Sequence, residues 1–386
     1  MRLDRTCLPS DIARGAFAAR IMTPDGPCVV GLIGGAAFDM TPMCGTMSRW
    51  MEAETPAACI RTRGVPLALD LNALLANSAH DARDPAKPWL LAPIDLQAIK
   101  AAGVTFAVSM LERVIEEQAR GNAARATEIR AEMQATIGDD LARLKPGSEP
   151  AMALKKHLIE KKMWSQYLEV GIGPDPEVFT KAPPMAAVGH LAEVGIHPMS
   201  TWNNPEPEVV LVIASTGLIV GATLGNDVNL RDFEGRSALL LGKAKDNNAS
   251  AALGPFIRLF DRHFSLDDVR KAEIRLTVEG PEGYRLNGAS EMSRISRDPA
   301  DLVGATIGEN HRYPDGMVLY LGTMFAPIED RDEEGKGFTH KVGDIVTVAS
   351  PRLGRLTNTV VHCGDAEAWT FGTARLMRNL AKRGLI

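Results

Sequence analysis

Cysteine, aromatic side chains, long apolar runs and surplus positive charge are all scarce in this sequence of 386 residues, and each shortage excludes something. The five cysteines (Cys7, Cys28, Cys44, Cys59 and Cys363) are odd in number, widely scattered and never paired as Cys-x-x-Cys. That pattern predicts free thiols in a reducing compartment and argues against a thiolate zinc site. Aromatics are 5% of the residues while methionines number 16, so no base-stacking platform is visible and the core must be built from aliphatics and Met. With 43 Lys+Arg against 48 Asp+Glu, the formal charge of −5 leaves no basic face for phosphates, so no nucleic-acid partner is expected. The most apolar run, Val209 to Leu224, is interrupted by Ala-Ser-Thr-Gly at 214–217 and is too short to span a bilayer. The opening MRLDRTCLPSDIARG is charged where a signal peptide needs an apolar stretch. A soluble cytoplasmic protein with no membrane partner is the expectation. No phosphate loop is present either, because Gly242-Lys243 is followed by Ala and lacks the upstream glycine. His-Glu-x-x-His and Gly-x-Ser-x-Gly are likewise missing.

The hydrophobic share of 45% and charged share of 24% are those of an ordinary globular chain. The length predicts a large domain plus a smaller one. Ala16–Thr23 and Cys28–Ile33 flank a Pro24-Asp25-Gly26 turn and read as a hairpin. Helical pieces are predicted near Met47–Glu54 and Leu67–Ala79. The polar stretch Asp81–Pro88 reads as a linker that closes a small N-terminal domain at about residue 90. Between Ala107 and Leu144 strong helix formers with intermixed charge predict long helices, with Glu116 and Arg120 paired four apart. Ala151–Leu168 reads as a further helix. After Thr201 short β runs alternate with turns almost to the end, where Ala374–Leu385 reads as a helix with a basic terminus.

The chemistry concentrates at Asn203-Asn204-Pro205-Glu206-Pro207-Glu208, which runs into the apolar strand Val209–Ile213. On an extended strand Glu206 and Glu208 face the same side, roughly 6–7 Å apart. Two carboxylates aimed at one point repel unless a cation sits between them. A hairpin centred on Thr216 places Glu206 opposite Asn226 and beside Asp227, which supplies a third carboxylate. Oxygen donors without His or Cys suit Mg²⁺, with Mn²⁺ or Ca²⁺ possible, rather than Zn²⁺. From spacing alone, solvated glutamates at a strand edge are an equal alternative.

Those residues and the segments after them resemble the fumarylacetoacetate hydrolase superfamily. The Glu206-Pro207-Glu208 strand is followed by Gly225-Asn226-Asp227-Val228-Asn229-Leu230-Arg231-Asp232. Next come Lys245-Asp246-Asn247-Asn248-Ala249-Ser250, ending in Leu253-Gly254-Pro255, and then Leu321-Gly322-Thr323-Met324. Val342-Gly343-Asp344-Ile345-Val346 and Leu353-Gly354-Arg355-Leu356-Thr357-Asn358-Thr359-Val360 complete the series. The likeness covers about residues 92–361. It implies an α+β fold in which a mixed β-roll or sandwich catalytic domain (91–386) carries a helical insert at about 118–165 and follows a small N-terminal α/β domain (1–90). It also implies that Glu206, Glu208 and Asp227 hold the metal, that Lys245 faces the substrate with Lys243 as a competitor, and that Thr323 bonds the substrate carboxylate. Arg231 and Asp232 are expected to form a structural ion pair, and a homodimer or homotetramer is the family norm.

One departure matters. Many hydrolases of this superfamily place a water-activating histidine where this chain has Ser109, followed here by Glu112 and Glu116 on one helical face. The loss argues against C–C hydrolysis and resembles the branch that dehydrates 2-keto-3-deoxy-pentonates (xylonate or arabinonate) to 2,5-dioxopentanoate. Phe338-Thr339-His340 fits that branch too. The expected substrate is therefore a small anionic 2-keto acid. Glu112 or Glu116 is expected to act as proton-abstracting base, Glu169 as a catalytic lid residue, and Ser109 and His340 to contact substrate. Acylpyruvate or diketo sugar-acid hydrolysis, oxaloacetate decarboxylation and a Schiff base on Lys245 remain alternatives.

Overall fold

Runs of Val, Ile, Leu and Ala bounded by Gly, Pro and Asn fold into the strands of two stacked sheets. The structure is a computed structural model that describes residues 7–120, 122, 125–126, 128–130, 144–160, 164–325, 327–333 and 337–386. The larger, 11-stranded sheet runs in the order Val65–Leu67, Ala36–Asp39, Gly26–Ile33, Ala16–Thr23, Ala251–Leu259, Ile219–Asp227, Pro207–Ile213, Met317–Tyr320, Ala98–Gly103, Glu177–Ala182, with Trp89–Leu90 also on Ala16–Thr23. The five-stranded sheet runs Arg285–Glu291, Glu273–Glu279, Ile345–Ser350, Gly354–His362, Glu193–Ile196. This is the mixed α+β architecture expected, with no closed barrel among the described residues.

The strand Pro207–Ile213 is buried along its whole length. Val209, Leu211 and Ile213 pack into a core shared with Leu276, Val278 and Val348 of the smaller sheet. Val210 and Val212, on the opposite face, pack with Trp50, Ile60 and Val318. A strand covered on both faces has no need of polar alternation, which is why it reads as one apolar run. Glu206 and Glu208 share the parity of Val210 and Val212.

The predicted N-terminal hairpin is present as Ala16–Thr23 and Gly26–Ile33. It continues the large sheet through the pairs Phe17–Arg258 and Ala18–Ile257, so the boundary expected near residue 90 does not interrupt the sheet. Helices occur at Met47–Met51, Leu71–Ala76, Ala107–Ala119, Glu149–Glu160, Gln166–Ile172 and Thr373–Lys382, close to the expected positions. Residues 121, 123, 124, 127, 131–143 and 161–163 of the expected insert lie outside the described residues. Arg120 caps its helix in the left-handed region (φ 52°), and Glu116, expected to pair with it, pairs with Arg113 and Arg231 instead. All five cysteines are free. Among the described residues no helix is long and apolar enough to cross a membrane.

The ligand hairpin departs from its expected register by one residue. Near the turn Ile213 pairs with Ile219 as a loop centred on Thr216 requires, but a β-bulge between Val212 and Ile213 then shifts the pairing to Val212–Gly221, Pro207–Asn226 and Glu208–Gly225. Glu206 thus comes opposite Asp227, whose amide donates to the Glu206 carbonyl at 3.0 Å. A one-residue slip exchanges the two faces of a strand. The bulge therefore turns Asp227 to the side of Glu206 and Glu208; the expected register would have sent it to the other side.

His190 joins the segment after Glu177–Ala182 to the smaller sheet. Its Nδ1 accepts from the Thr357 amide at 3.0 Å, and burial pushes its pKa down to about 3. Its unfolded value is near 6.5. The unfolded chain therefore binds this proton first, so stability is complete above pH 6.5 and is lost as pH falls towards 3. Denaturant midpoints measured from pH 7.5 to 5 should show His190→Gln losing part of the wild-type pH slope, up to about 1.4 kcal/mol per unit.

Candidate metal centre

Three carboxylates meet at the end of the bulged hairpin. Glu206 and Asp227 sit opposite each other and Glu208 two residues further along, each at most 2% exposed. One oxygen from each lies within 4.8 Å of the other two. Carboxylates this close in a solvent-free site repel strongly unless cations are shared among them.

Some cations are supplied by the chain itself. Lys245, at the end of the short helix Leu241–Lys245, bonds Glu206 and also Asp227, the latter at 3.0 Å. Lys181 reaches the other Asp227 oxygen at 2.7 Å. Arg113 bonds Glu206, Glu116 (2.7 Å) and Glu234 (3.3 Å), and Arg231 bonds Glu116 at 3.0 Å. Glu177 also senses this cluster. With every group ionised, six carboxylates (Glu116, Glu177, Glu206, Glu208, Asp227, Glu234) face four cations (Arg113, Lys181, Arg231, Lys245), a formal excess of two negative charges that equals the charge of one divalent ion.

The imbalance falls mostly on Glu208. Burial raises the Glu206 carboxyl, but Lys245 and Arg113 outweigh that and hold it down at about 2. Glu208 has no cation in contact among the described residues, and its Oε2 accepts only the Gly322 amide, at 2.6 Å. Burial first, then the charges of Asp227 and Glu206, hold it well above the carboxylate range. All-oxygen donors, close convergence and an unbalanced charge of two fit a hard divalent cation such as Mg²⁺. Gly322 makes its contact at φ +94°, where a Cβ would lie 2.0 Å from the Thr105 hydroxyl, so this turn requires glycine.

The remaining expected residues divide. Lys245 is at the centre, whereas Lys243 is exposed, 5.2 Å from the Phe233 ring. Thr323 adjoins Gly322, its hydroxyl donating to the Phe325 carbonyl at 2.9 Å. Ser109 spends its hydroxyl on Phe106, as a helix cap. Glu112 is held by Arg130 through two bonds of 2.7 and 2.8 Å and touches none of the three carboxylates. Glu116 reaches them only through Arg113. Glu169 pairs with Lys155 and accepts from Trp164 Nε1 at 3.2 Å. His340 is buried, its Nδ1 2.9 Å from Asp344 and its Nε2 without a partner. Arg231 and Asp232 do not pair with each other, because successive helical residues point apart; Asp232 accepts from Ser200 and Thr201 instead.

Sequence reasoning missed Lys181, Arg113, Glu234 and Glu177. The one local signal was a lysine beside Ala182 in a strand that turns inward. Glu177, on the same strand, is pushed up to about 7, first by burial and then by Glu234. A carboxyl near neutrality can both take and return a proton.

Because Glu208 lacks a cation, Glu208→Gln should be neutral in EDTA, or stabilising by up to about 2 kcal/mol. It should also abolish the rise in melting temperature that Mg²⁺ gives the wild type. Thermal melts of both proteins with and without Mg²⁺ measure the two effects.

The profile described as "Fumarylacetoacetate (FAA) hydrolase C-terminal" matches residues 151–361. Over 201 residues the chain is 30% identical to a probable 2-keto-3-deoxyxylonate dehydratase of Haloferax volcanii, covering 52% of this chain and 65% of that protein. Over 188 residues it is 32% identical to a 2-dehydro-3-deoxy-D-arabinonate dehydratase of Saccharolobus solfataricus, covering 48% of this chain and 58% of that protein. The matches thus span less than two thirds of either relative. A solved structure of 2-keto-3-deoxy-D-arabinonate dehydratase complexed with magnesium and 2,5-dioxopentanoate shares the fold, with a TM-score of 0.61 at 20% identity over 90% of this chain and 98% of that one. With a profile match over more than half its length, the chain belongs to the fumarylacetoacetate hydrolase family, close to its pentonate dehydratases.

Proposed function

We propose that this protein is a Mg²⁺-dependent dehydratase that converts a 2-keto-3-deoxy-pentonate, of the xylonate or arabinonate series, to 2,5-dioxopentanoate. The observation that carries the reading is the buried convergence of Glu206, Glu208 and Asp227 beside Lys245, with a charge deficit of two. The names of the two pentonate dehydratases and the ligands of the solved relative support the choice of substrate. Among the described residues no histidine contacts the three carboxylates, which favours dehydration over hydrolysis by an activated water.

Glu206, Glu208 and Asp227 would hold the cation. Mg²⁺ bound there would supply Lewis-acid polarisation of the 2-oxo group, which acidifies the C3 protons. The Lys245 ammonium adds a preorganised positive charge beside the oxygen on which negative charge develops. Glu177 replaces Glu112 and Glu116 as the proposed acid–base group, since arginines occupy both of those. Its carboxylate takes a proton from C3 and its acid form returns one to the departing C4 hydroxyl, so one water leaves. The elimination leaves a C3=C4 double bond conjugated to the 2-oxo group; a proton moved from C5 to C3 converts it to the C4=C5 enol, and tautomerisation of that enol gives the 5-aldehyde.

Purified enzyme incubated with 2-keto-3-deoxy-pentonate or with an acylpyruvate, each with and without Mg²⁺, tests the reading. Formation of 2,5-dioxopentanoate from the first alone, and only with metal, is expected. Turnover of the acylpyruvate alone would sink the proposal, and a borohydride-trapped adduct on Lys245 would replace it with Schiff-base chemistry. Glu177→Gln should lower kcat by about 10²–10⁴-fold.

A further inference from the structure

We propose that Lys181 is the positioning residue of the metal centre: its buried ammonium sets the distance between Asp227 and Lys245 at which the three carboxylates converge. The inference rests on reading those carboxylates as metal ligands, and goes beyond it by assigning the geometry to a group that touches neither metal nor substrate.

Lys181 lies near the end of Glu177–Ala182, the edge strand of the large sheet, and is fully buried. Lysine is almost never buried completely unless paired, and its flexible stem is costly to immobilise. This one is immobilised by four acceptors from three places in the chain, residues 227–228, 245 and 250. Its Nζ meets Asp227 Oδ1 at 2.7 Å, the Val228 carbonyl at 3.2 Å, the Ser250 hydroxyl at 3.2 Å and the Lys245 carbonyl. Ser250 reinforces the arrangement, donating to the Lys245 carbonyl at 2.7 Å and accepting from the Asn247 amide at 3.1 Å.

An ammonium has three donors and no lone pair, so these contacts exhaust it and leave nothing for substrate. They join the end of the ligand strand, the residue that follows it, the last carbonyl of the Leu241–Lys245 helix and the 247–250 turn. The Lys245 ammonium reaches Asp227 directly at 3.0 Å; Lys181 adds the second tie, from the other Asp227 oxygen to the Lys245 backbone carbonyl, which fixes where that lysine starts as well as where it ends. A pure counter-charge would not need two backbone carbonyls. The two roles predict opposite signs: removing a mere counter-charge makes the site more negative and tightens cation binding, whereas removing a positioning group loosens it. Outer partners that orient ligands typically contribute about 10–100-fold in metal affinity.

The test uses the full chain, stripped with EDTA and titrated with MgCl₂ by calorimetry, with melts to verify folding. Lys181→Met should bind Mg²⁺ about 10–100-fold more weakly than wild type. Lys181→Arg should weaken it too, because a planar fork keeps the charge but cannot fill a four-acceptor socket. Ser250→Ala should show a smaller loss in the same direction. Should Lys181→Met fail to fold, the Arg and Ser250 variants decide. Binding by Lys181→Met as tight as wild type or tighter, or by both of the other variants at wild-type strength, would overturn the assignment and leave the metal reading intact. No Mg²⁺ binding by the wild type would overturn both.

Discussion

Glu206, Glu208 and Asp227 are held where solvent is excluded and carboxylates repel most strongly, and much of the surrounding architecture serves to tolerate that repulsion. Four cations converge from four segments distant in sequence. Arg113 comes from the Ala107–Ala119 helix, Lys181 from an edge strand, Arg231 from a one-turn helix and Lys245 from another. Two of them share their charge: Arg113 serves three glutamates, and Lys245 serves Glu206 and Asp227. Sharing in a site of low effective dielectric makes every member dependent on the others. The shortfall of two charges marks what the protein leaves for a ligand to supply.

The same economy explains the division of labour among the acidic residues. Glu206, anchored by Lys245 and Arg113, is ionised throughout the physiological range. Glu208, with only an amide for company, is the strained member. Glu177 stands at the edge of the cluster, near enough to feel it and far enough to titrate near neutrality. Similar side chains thus acquire different proton affinities from their surroundings.

Much of this was legible in the sequence. The Glu-Pro-Glu strand, the Asn-Asp segment and Lys245 were readable because ligands on one hairpin have local spacing rules, and their order resembled a known family. The helix carrying Glu112 and Glu116 was readable from composition. Their partners were not, since Arg130 and Arg231 arrive through tertiary packing. Arg113 lies one residue from Glu112, yet nothing local says that it reaches across to Glu206, 93 residues away.

By itself the sequence pointed to the fold class through its likeness to a known family, and to the oxygen-only character of the acidic triad Glu206, Glu208 and Asp227, because all three lie on one hairpin whose spacing is local. Tertiary structure alone decided which face Asp227 occupies. A bulge between Val212 and Ile213 shifts the register by one residue, and in a strand one residue is the difference between the two faces. It also decided that Lys181 and Arg113 belong to the centre, because counter-charges are chosen by proximity in space, which local spacing does not encode.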